Sequence, residues 1–282
     1  MLKIPDKIII NFTPTGMLPT KEKTPFVPIS INEIIEDVHQ AYKVGITMVH
    51  LHARDEVTGI PTHKAEVYAK IIEGIRIFAP DLIICASLSG RNYSEFDKRA
   101  EVLYLDGAAK PDMGSLTLSS LNFNKNSSIN EPEMIMKLAQ AMLELGIKPE
   151  LEAFDAGMIN YAKYLIKKQL IKPPFYFNLI FGNIACAQPD LLHAGVMIND
   201  LPDNSICSLG GIGDAQIVMN SIAVAMGYGV RIGIEDNIYF DSSRSKLSTN
   251  MEFLERIHDI IIHHDKEVMA SNELRKLFNM PH

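Results

Sequence analysis

GITMVHLHARD, residues 45–55, is the segment that decides the fold. Gly45 stops a run of helical period, because glycine adopts the left-handed conformation that ends helices. Thr47 to His52 then reads as a short apolar strand. Side chains alternate along a strand, so His50 and His52 face one way and Leu51 the other. A strand that starts apolar and finishes on two convergent imidazoles fits a parallel barrel, whose active sites lie at the carboxyl ends of its strands.

Upstream, Ile8 to Thr13 reads as strand one, followed by a loop rich in proline (Pro14, Pro19, Pro25, Pro28). Ser30 and Glu33 have capping-box spacing, and Ile34, Ile35, Val38, Ala41 and Tyr42 form the apolar stripe of helix one. Downstream the alternation repeats, with strands at Leu82–Ser87, Met113–Thr117, Glu150–Phe154, Tyr176–Phe181, Ser205–Leu209 and Val230–Glu235. Helical runs separate them: one carries Val67, Ile71, Ile72, Ile75 and Phe78, and another starts at Asn130, with Glu133 three residues on, and ends at Gly146. Further helices are expected near Ser94–Leu105, up to about Ile171, at Asp190–Ile198 and at Asp214–Met226. Two more, Met251–His263 and Asn272–Phe278, close the chain. Strands alternating with helices predict a parallel sheet. No strand runs into a G-x-G-x-x-G fingerprint, so a closed (β/α)₈ TIM barrel is favoured over an open doubly wound sheet. The expectation is one domain over residues 1–282, with an extra C-terminal helix.

Composition narrows the function. The 282 residues carry a formal charge of −7 and are 47% hydrophobic. No basic run marks a nucleic-acid surface. The apolar N-terminal stretch is too short for a signal peptide or a membrane span. Cys85, Cys186 and Cys207 lack metal-type spacing and read as reduced, buried thiols of a cytoplasmic protein.

The strand ends supply the candidate chemistry. His50 and His52 form half of a zinc site, and a carboxylate commonly completes one; Glu235, at the end of strand eight, is the best third ligand. Three protein ligands leave the open position that a catalytic metal needs. Asp236 adjoins them as a candidate general base. Glu152 is expected to point inward toward Arg231, which shares the face of Glu235 but lies roughly 13 Å deeper along an extended strand. Ser87, Ser115 and Thr117 are candidate donors to a substrate, with Ser89 and Gly90 beside them. The Gly210–Gly213 loop offers backbone amides to a phosphate, although Asp214 at the helix start would cap those amides and repel an anion. Two His and one Glu do not by themselves select zinc over cobalt or manganese.

The chain resembles the β-keto acid cleavage enzymes. The matching segments are NFTPTG (11–16), TKEKTPFVPIS (20–30), GITMVHLHARD (45–55), EFDKRAEVL (95–103), KPDMGSLTLSSLNF (110–123), KPELEAFDAGM (148–158) and VRIGIEDNIYF (230–240). They span almost the whole chain in the family's order. The resemblance implies a zinc-dependent barrel that joins a β-keto acid to acetyl-CoA and, by retro-Claisen cleavage, gives acetoacetyl-CoA and a new acyl-CoA. It places the metal on His50, His52 and Glu235, the base on Asp236, the supporting groups on Arg231, Ser87 and Glu152, and a substrate hydroxyl on Ser115. It also implies a homo-oligomer, a tetramer, whose partners are small molecules rather than nucleic acid or membrane. Members that cleave 3-keto-5-aminohexanoate carry an acid where this chain has Leu18. An acid is the natural partner of a substrate ammonium, so the expected substrate here has a neutral or apolar tail.

The residues alone leave two other readings open. One is a class II-type metal-dependent aldolase or lyase, which needs no acetyl-CoA. The other is a non-catalytic zinc-binding barrel, whose metal would be closed by four protein ligands. An amidohydrolase-type site would need histidines on strands five and six, where Glu152 and Asn178 stand.

Overall fold

Branched and aromatic residues fill the strands, and fully burying one such side chain contributes about 1.5–3 kcal/mol. The computed structural model of the protein describes residues 6–280. Eight parallel strands close into a barrel in sequential order. They are β1 (Ile10–Phe12), β2 (Met48–Leu51), β3 (Ile83–Ala86), β4 (Met113–Thr117), β5 (Lys148–Ala153), β6 (Phe175–Phe181), β7 (Ser205–Gly211) and β8 (Gly229–Ile232). The ring closes where Arg231 of β8 pairs with Asn11 of β1.

Helices cover the outside: α1 (Ile31–Val44), α2 (Ala65–Phe78), α3 (Phe96–Ala100), α4 (Pro132–Leu145), α5 (Ala156–Lys167), α6 (Leu191–Asp200), α7 (Ala215–Met226) and α8 (Asn250–His263). The Ser30/Glu33 capping box forms as expected at the start of α1. The α4 expectation is corrected: the helix begins at Pro132, with Glu131 at its N-cap and no side-chain cap. Proline at the first helical position sets that start. Asn130 instead accepts a hydrogen bond from Arg99 Nη2 at 2.8 Å.

Two apolar cores result. The larger lies between barrel and helices. The smaller fills the lower barrel with Met48, Ile83, Cys85, Met113, Tyr176 and Ile206, plugged from below by Leu274 and Phe278 of α9 (Ser271–Phe278). The extra C-terminal helix is thus the floor of the barrel. Above that floor Asn11, His50, Glu150, Glu152, Asn178 and Arg231 are buried polar or charged side chains, which leaves the upper barrel for chemistry. No helix among the described residues is long and apolar enough to cross a membrane.

Candidate active site

The alternation read from His50-Leu51-His52 holds: Leu51 joins the outer core and both imidazoles enter the barrel. Their Nε2 atoms lie 3.2 Å apart, and Glu235 Oε1 lies 3.2 Å from His52 Nε2 and 4.0 Å from His50 Nε2. Ligand atoms about 2.0–2.2 Å from a shared tetrahedral zinc sit at about these separations from one another.

Glu235 arrives by a route that the sequence did not reveal. Strand β8 ends at Ile232, three residues earlier than expected, and the chain turns at Gly233, with φ +155°. A Cβ there would lie 2.1 Å from the Thr13 carbonyl oxygen. Gly16 is equally confined, since its Cβ would lie 2.5 Å from Glu235 Cγ. The turn folds Glu235 and Asp236 back over Arg231. The expectation that Arg231 lies far below Glu235 is therefore corrected: Arg231 Nη2 donates to Glu235 Oε1 at 2.8 Å and Nε donates to Asp236 Oδ2 at 2.9 Å. Glu152 does face inward as expected, with Oε1 3.8 Å from Arg231 Nη1 and Oε2 accepting from Thr117 Oγ1 at 2.7 Å.

Glu150 was missed, although it shares strand parity with Glu152 and so must also face inward. Fully buried, it accepts from His50 Nδ1 at 2.6 Å and from Asn11 Nδ2 at 2.7 Å. That contact holds the proton of His50 on Nδ1 and turns the Nε2 lone pair toward His52 and Glu235, the usual arrangement around a metal-binding histidine. Burial pulls the His50 imidazole down, but Glu150 and Glu235 outweigh it and hold it up at about 9. Burial alone raises Glu150; His50 and Arg231 overcome it and bring it down to about 2. His52 is lowered, chiefly by burial. Burial pushes Asp236 up to about 6, with Glu235 adding to the rise and Arg231 opposing it.

The cluster fits a divalent cation. Glu150, Glu152, Glu235 and Asp236 all act on the Arg231 guanidinium, and such a concentration of buried carboxylates suits a cation. Glu235 Oε2 is buried with no hydrogen-bond partner. A second possible ligand group, His50, Cys85 and Glu150, lies deeper. There His50 Nδ1 is already bonded to Glu150, and burial pushes the Cys85 thiol well up, which opposes the thiolate a metal requires. His50, His52 and Glu235 are the better set, because His52 and Glu235 open onto a cavity of about 320 Å³.

Ser87, Ser89, Thr117, Glu152, Arg231 and Asp236 lie on the wall of that cavity. Two other expected substrate contacts lie elsewhere. Ser115 is buried below, where its Oγ accepts from Leu88 N at 3.1 Å. Gly90 is a packing position, since a Cβ would meet the Ile129 carbonyl oxygen at 2.5 Å. Thr117 is on the wall, but it donates its hydroxyl proton to Glu152. In the Gly210–Gly213 segment, the first two glycines belong to β7, and Gly210 leaves room for the Arg231 side chain. Asp214 does not cap α7, contrary to expectation; it pairs with Arg244 at 3.1 Å. Cys85 and Cys207 are buried as expected, while Cys186 is only partly so.

Arg54, just past the imidazoles, is a strut. It donates to the carbonyls of Gly16, Pro19 and Gly59 at 2.8–2.9 Å, tying the proline-rich loop to β2. That loop brings Met17, Leu18 and Lys23 to the cavity wall.

Fold and site together define a (β/α)₈-barrel protein with a metal-competent His₂Glu cluster beside an arginine-clamped carboxylate. The beta-keto acid cleavage enzyme family matches residues 7–280, and the chain belongs to that family. It is 32% identical, over 98% of both chains, to a 3-keto-5-aminohexanoate cleavage enzyme of Fusobacterium nucleatum. It is 30% identical to a 3-oxoadipate:acetyl-CoA acetyltransferase of Cupriavidus necator, over 97% of this chain and 95% of that one. Among solved structures, the apo form of ObcA superposes with a TM-score of 0.79 at 18% identity, over 91% of this chain and 66% of that one. At that identity the likeness bears on the fold alone.

Proposed function

We propose that the protein is a zinc-dependent enzyme that transfers the acyl part of a β-keto acid to the CoA of acetyl-CoA. The observation that carries this reading is Asp236, held 2.9 Å from Arg231 Nε on the cavity wall, next to the Glu235 of the ligand set. A divalent metal held by His50, His52 and Glu235 supplies Lewis-acid polarisation of the keto oxygen. Asp236 takes a proton from C2, the carbon between the keto and carboxyl groups; a carboxylate lifted toward neutral pH is suited to both accept and return it. Arg231 keeps Asp236 in place and shares its charge. Ser87 and Ser89, both on the cavity wall, would donate to substrate oxygens.

Atom balance revises the expected products. The C2 carbanion attacks the acetyl-CoA carbonyl, a C–C bond forms and the CoA thiolate leaves. The thiolate adds to the former keto carbon, the old C2–C3 bond breaks, and its electron pair returns to C2, which is reprotonated. One acetyl-CoA brings one CoA, so the products are acetoacetate and one acyl-CoA. The expectation of acetoacetyl-CoA together with a second thioester does not balance.

Leu18 on the cavity wall supports a substrate without an amine. A cytoplasmic homo-oligomer, a tetramer by family resemblance, completes the proposal; exposed Leu191, Leu192 and Val196 on α6 offer apolar area for such contacts. The test is incubation of the zinc-loaded protein with acetyl-CoA and a panel of β-keto acids, with mass spectrometry for acyl-CoA and acetoacetate. Both products appear with at least one acid and vanish in Asp236→Asn and His50→Ala. A metal-loaded, folded protein that makes neither product across the panel refutes the reading in favour of an aldolase or a non-catalytic barrel.

A further inference from the structure

Among the described residues, Lys23, Arg91, Arg231 and Arg244 reach the cavity wall, and three of these cations are engaged. Arg231 is clamped to Glu235 and Asp236. Arg244 pairs with Asp214, and Lys23 donates to the Leu18 carbonyl oxygen at 3.0 Å. The fourth, Arg91, has no carboxylate within ion-pair distance among the described residues. The acidic groups whose field it feels, Glu235, Glu152 and Asp236, are already bonded to His52, Thr117 and Arg231.

Arg91 is nevertheless held in place. Its guanidinium stacks 3.8 Å from the centroid of the Phe123 ring, which also lines the cavity. Its amide donates to Ser89 Oγ at 3.3 Å. The preceding Gly90 is packed too tightly for a side chain, against Arg99, whose Nε donates to the Leu88 carbonyl at 2.9 Å. A guanidinium stacked on an aromatic face keeps its in-plane N–H donors free, and their fork matches a carboxylate. Burial already lowers Arg91, the signature of a cation partly stripped of water. Leu18, Phe154, Ile180 and Ile212 make much of the remaining wall apolar, as a methylene spacer requires.

We propose that Arg91, stacked on Phe123, binds a second carboxylate at the far end of the substrate, so that the protein acts on β-keto dicarboxylic acids. This rests on the β-keto acid reading above and revises the neutral tail inferred from Leu18. Leu18 removes the partner of an ammonium; Arg91 adds the partner of an anion. The reacting end belongs beside Asp236, where Nε and Nη2 of Arg231 are held by Asp236 and Glu235. Arg91 touches none of the reacting groups and takes the tail.

The test compares 3-oxoadipate with 3-oxohexanoate, which has the same chain length and a methyl terminus, in the zinc-loaded full chain and in Arg91→Met and Arg91→Lys. Calorimetric binding of each acid is measured beside turnover, with melting curves for both variants. The wild type favours the diacid in kcat/KM and in affinity by about 10- to 100-fold, the range of a hydrogen-bonded charge. Arg91→Met erases that ratio, and Arg91→Lys, which keeps the charge without the fork, retains part of it. An equal preference for both acids, or a ratio unmoved by Arg91→Met, overturns the proposal. So does a variant that raises the KM for acetyl-CoA equally with either acid, which would place CoA phosphates on Arg91. If neither acid yields acyl-CoA, the cleavage reading fails, and the binding ratio still decides for or against Arg91.

Discussion

Replacing Glu150 with Gln tests whether the metal site is built from below. Glu150 Oε2 accepts from His50 Nδ1 at 2.6 Å, and Oε1 accepts from Asn11 Nδ2 at 2.7 Å. Gln has the same shape but only one acceptor. If its amide nitrogen faced His50, the imidazole would have to move its proton to Nε2, the atom needed for the metal. If its oxygen stays on His50, its nitrogen meets Asn11, which can flip together with Asn178, because Asn11 Oδ1 and Asn178 Nδ2 have no partner. The second arrangement keeps the geometry and loses the charge. Hydrogen bonds to charged groups contribute about 1.5–3 kcal/mol against about 0.5–1.5 for neutral ones, so the loss is about 1–2 kcal/mol. That corresponds to a zinc affinity about 5- to 30-fold weaker, within the range seen when outer partners of metal ligands are removed. The assay is competition with a chromophoric chelator on the intact protein, with the melting curve of each apo form recorded. Zinc affinity within twofold of wild type, in a folded variant, would falsify the orienting role. A collapse of a thousandfold or more, matched by Cys85→Ser, would move the metal to the deeper His50, Cys85 and Glu150 group.

Three further outcomes follow from the same geometry. Gly233→Ala sets a Cβ 2.1 Å from the Thr13 carbonyl in a backbone conformation that side chains rarely adopt, so Glu235 shifts; zinc affinity and melting temperature both fall, and retention of both would show that the turn adapts. Asp37, on α1 and bonded to Asn250, is pushed up to about 7 by burial, so its contribution to stability is complete below its ordinary value of 3.8 and is lost as the pH rises through about 7. Asp37→Asn should therefore melt like wild type near pH 4 and above it from pH 7, by about 1–2 kcal/mol after allowing for partial exposure, and a pH-independent difference would sink the assignment. Chelation of the metal should leave a folded, inactive barrel, because two apolar cores already hold the strands and helices together; loss of far-UV circular dichroism on chelation at room temperature would make the metal structural.

Much of this was legible in residue order. Strand parity is a local property, so the sequence placed His50 and His52 on one face, and the repeated strand–helix alternation set the barrel that brings the ends of the first and last strands together. The same parity already contained Glu150. It lies one pleat below the strand end, where a carboxylate looks structural until its distance to His50 is known. The position of Arg231 departs from the expectation for a different reason. A uniform rise per residue assumes a straight strand, and Gly233 breaks it through close contact with the Thr13 backbone, far away in sequence. Arg91 sits in a loop without periodicity, and its partner Phe123 comes from another loop, so nothing local could signal the stack. The amino-acid sequence by itself determined the barrel and the ligand types, because both follow from short-range spacing. Only the tertiary structure decided which carboxylate bonds His50, how Arg231 clamps Asp236 and where Arg91 stacks on Phe123, because each depends on how segments approach once the whole ring closes.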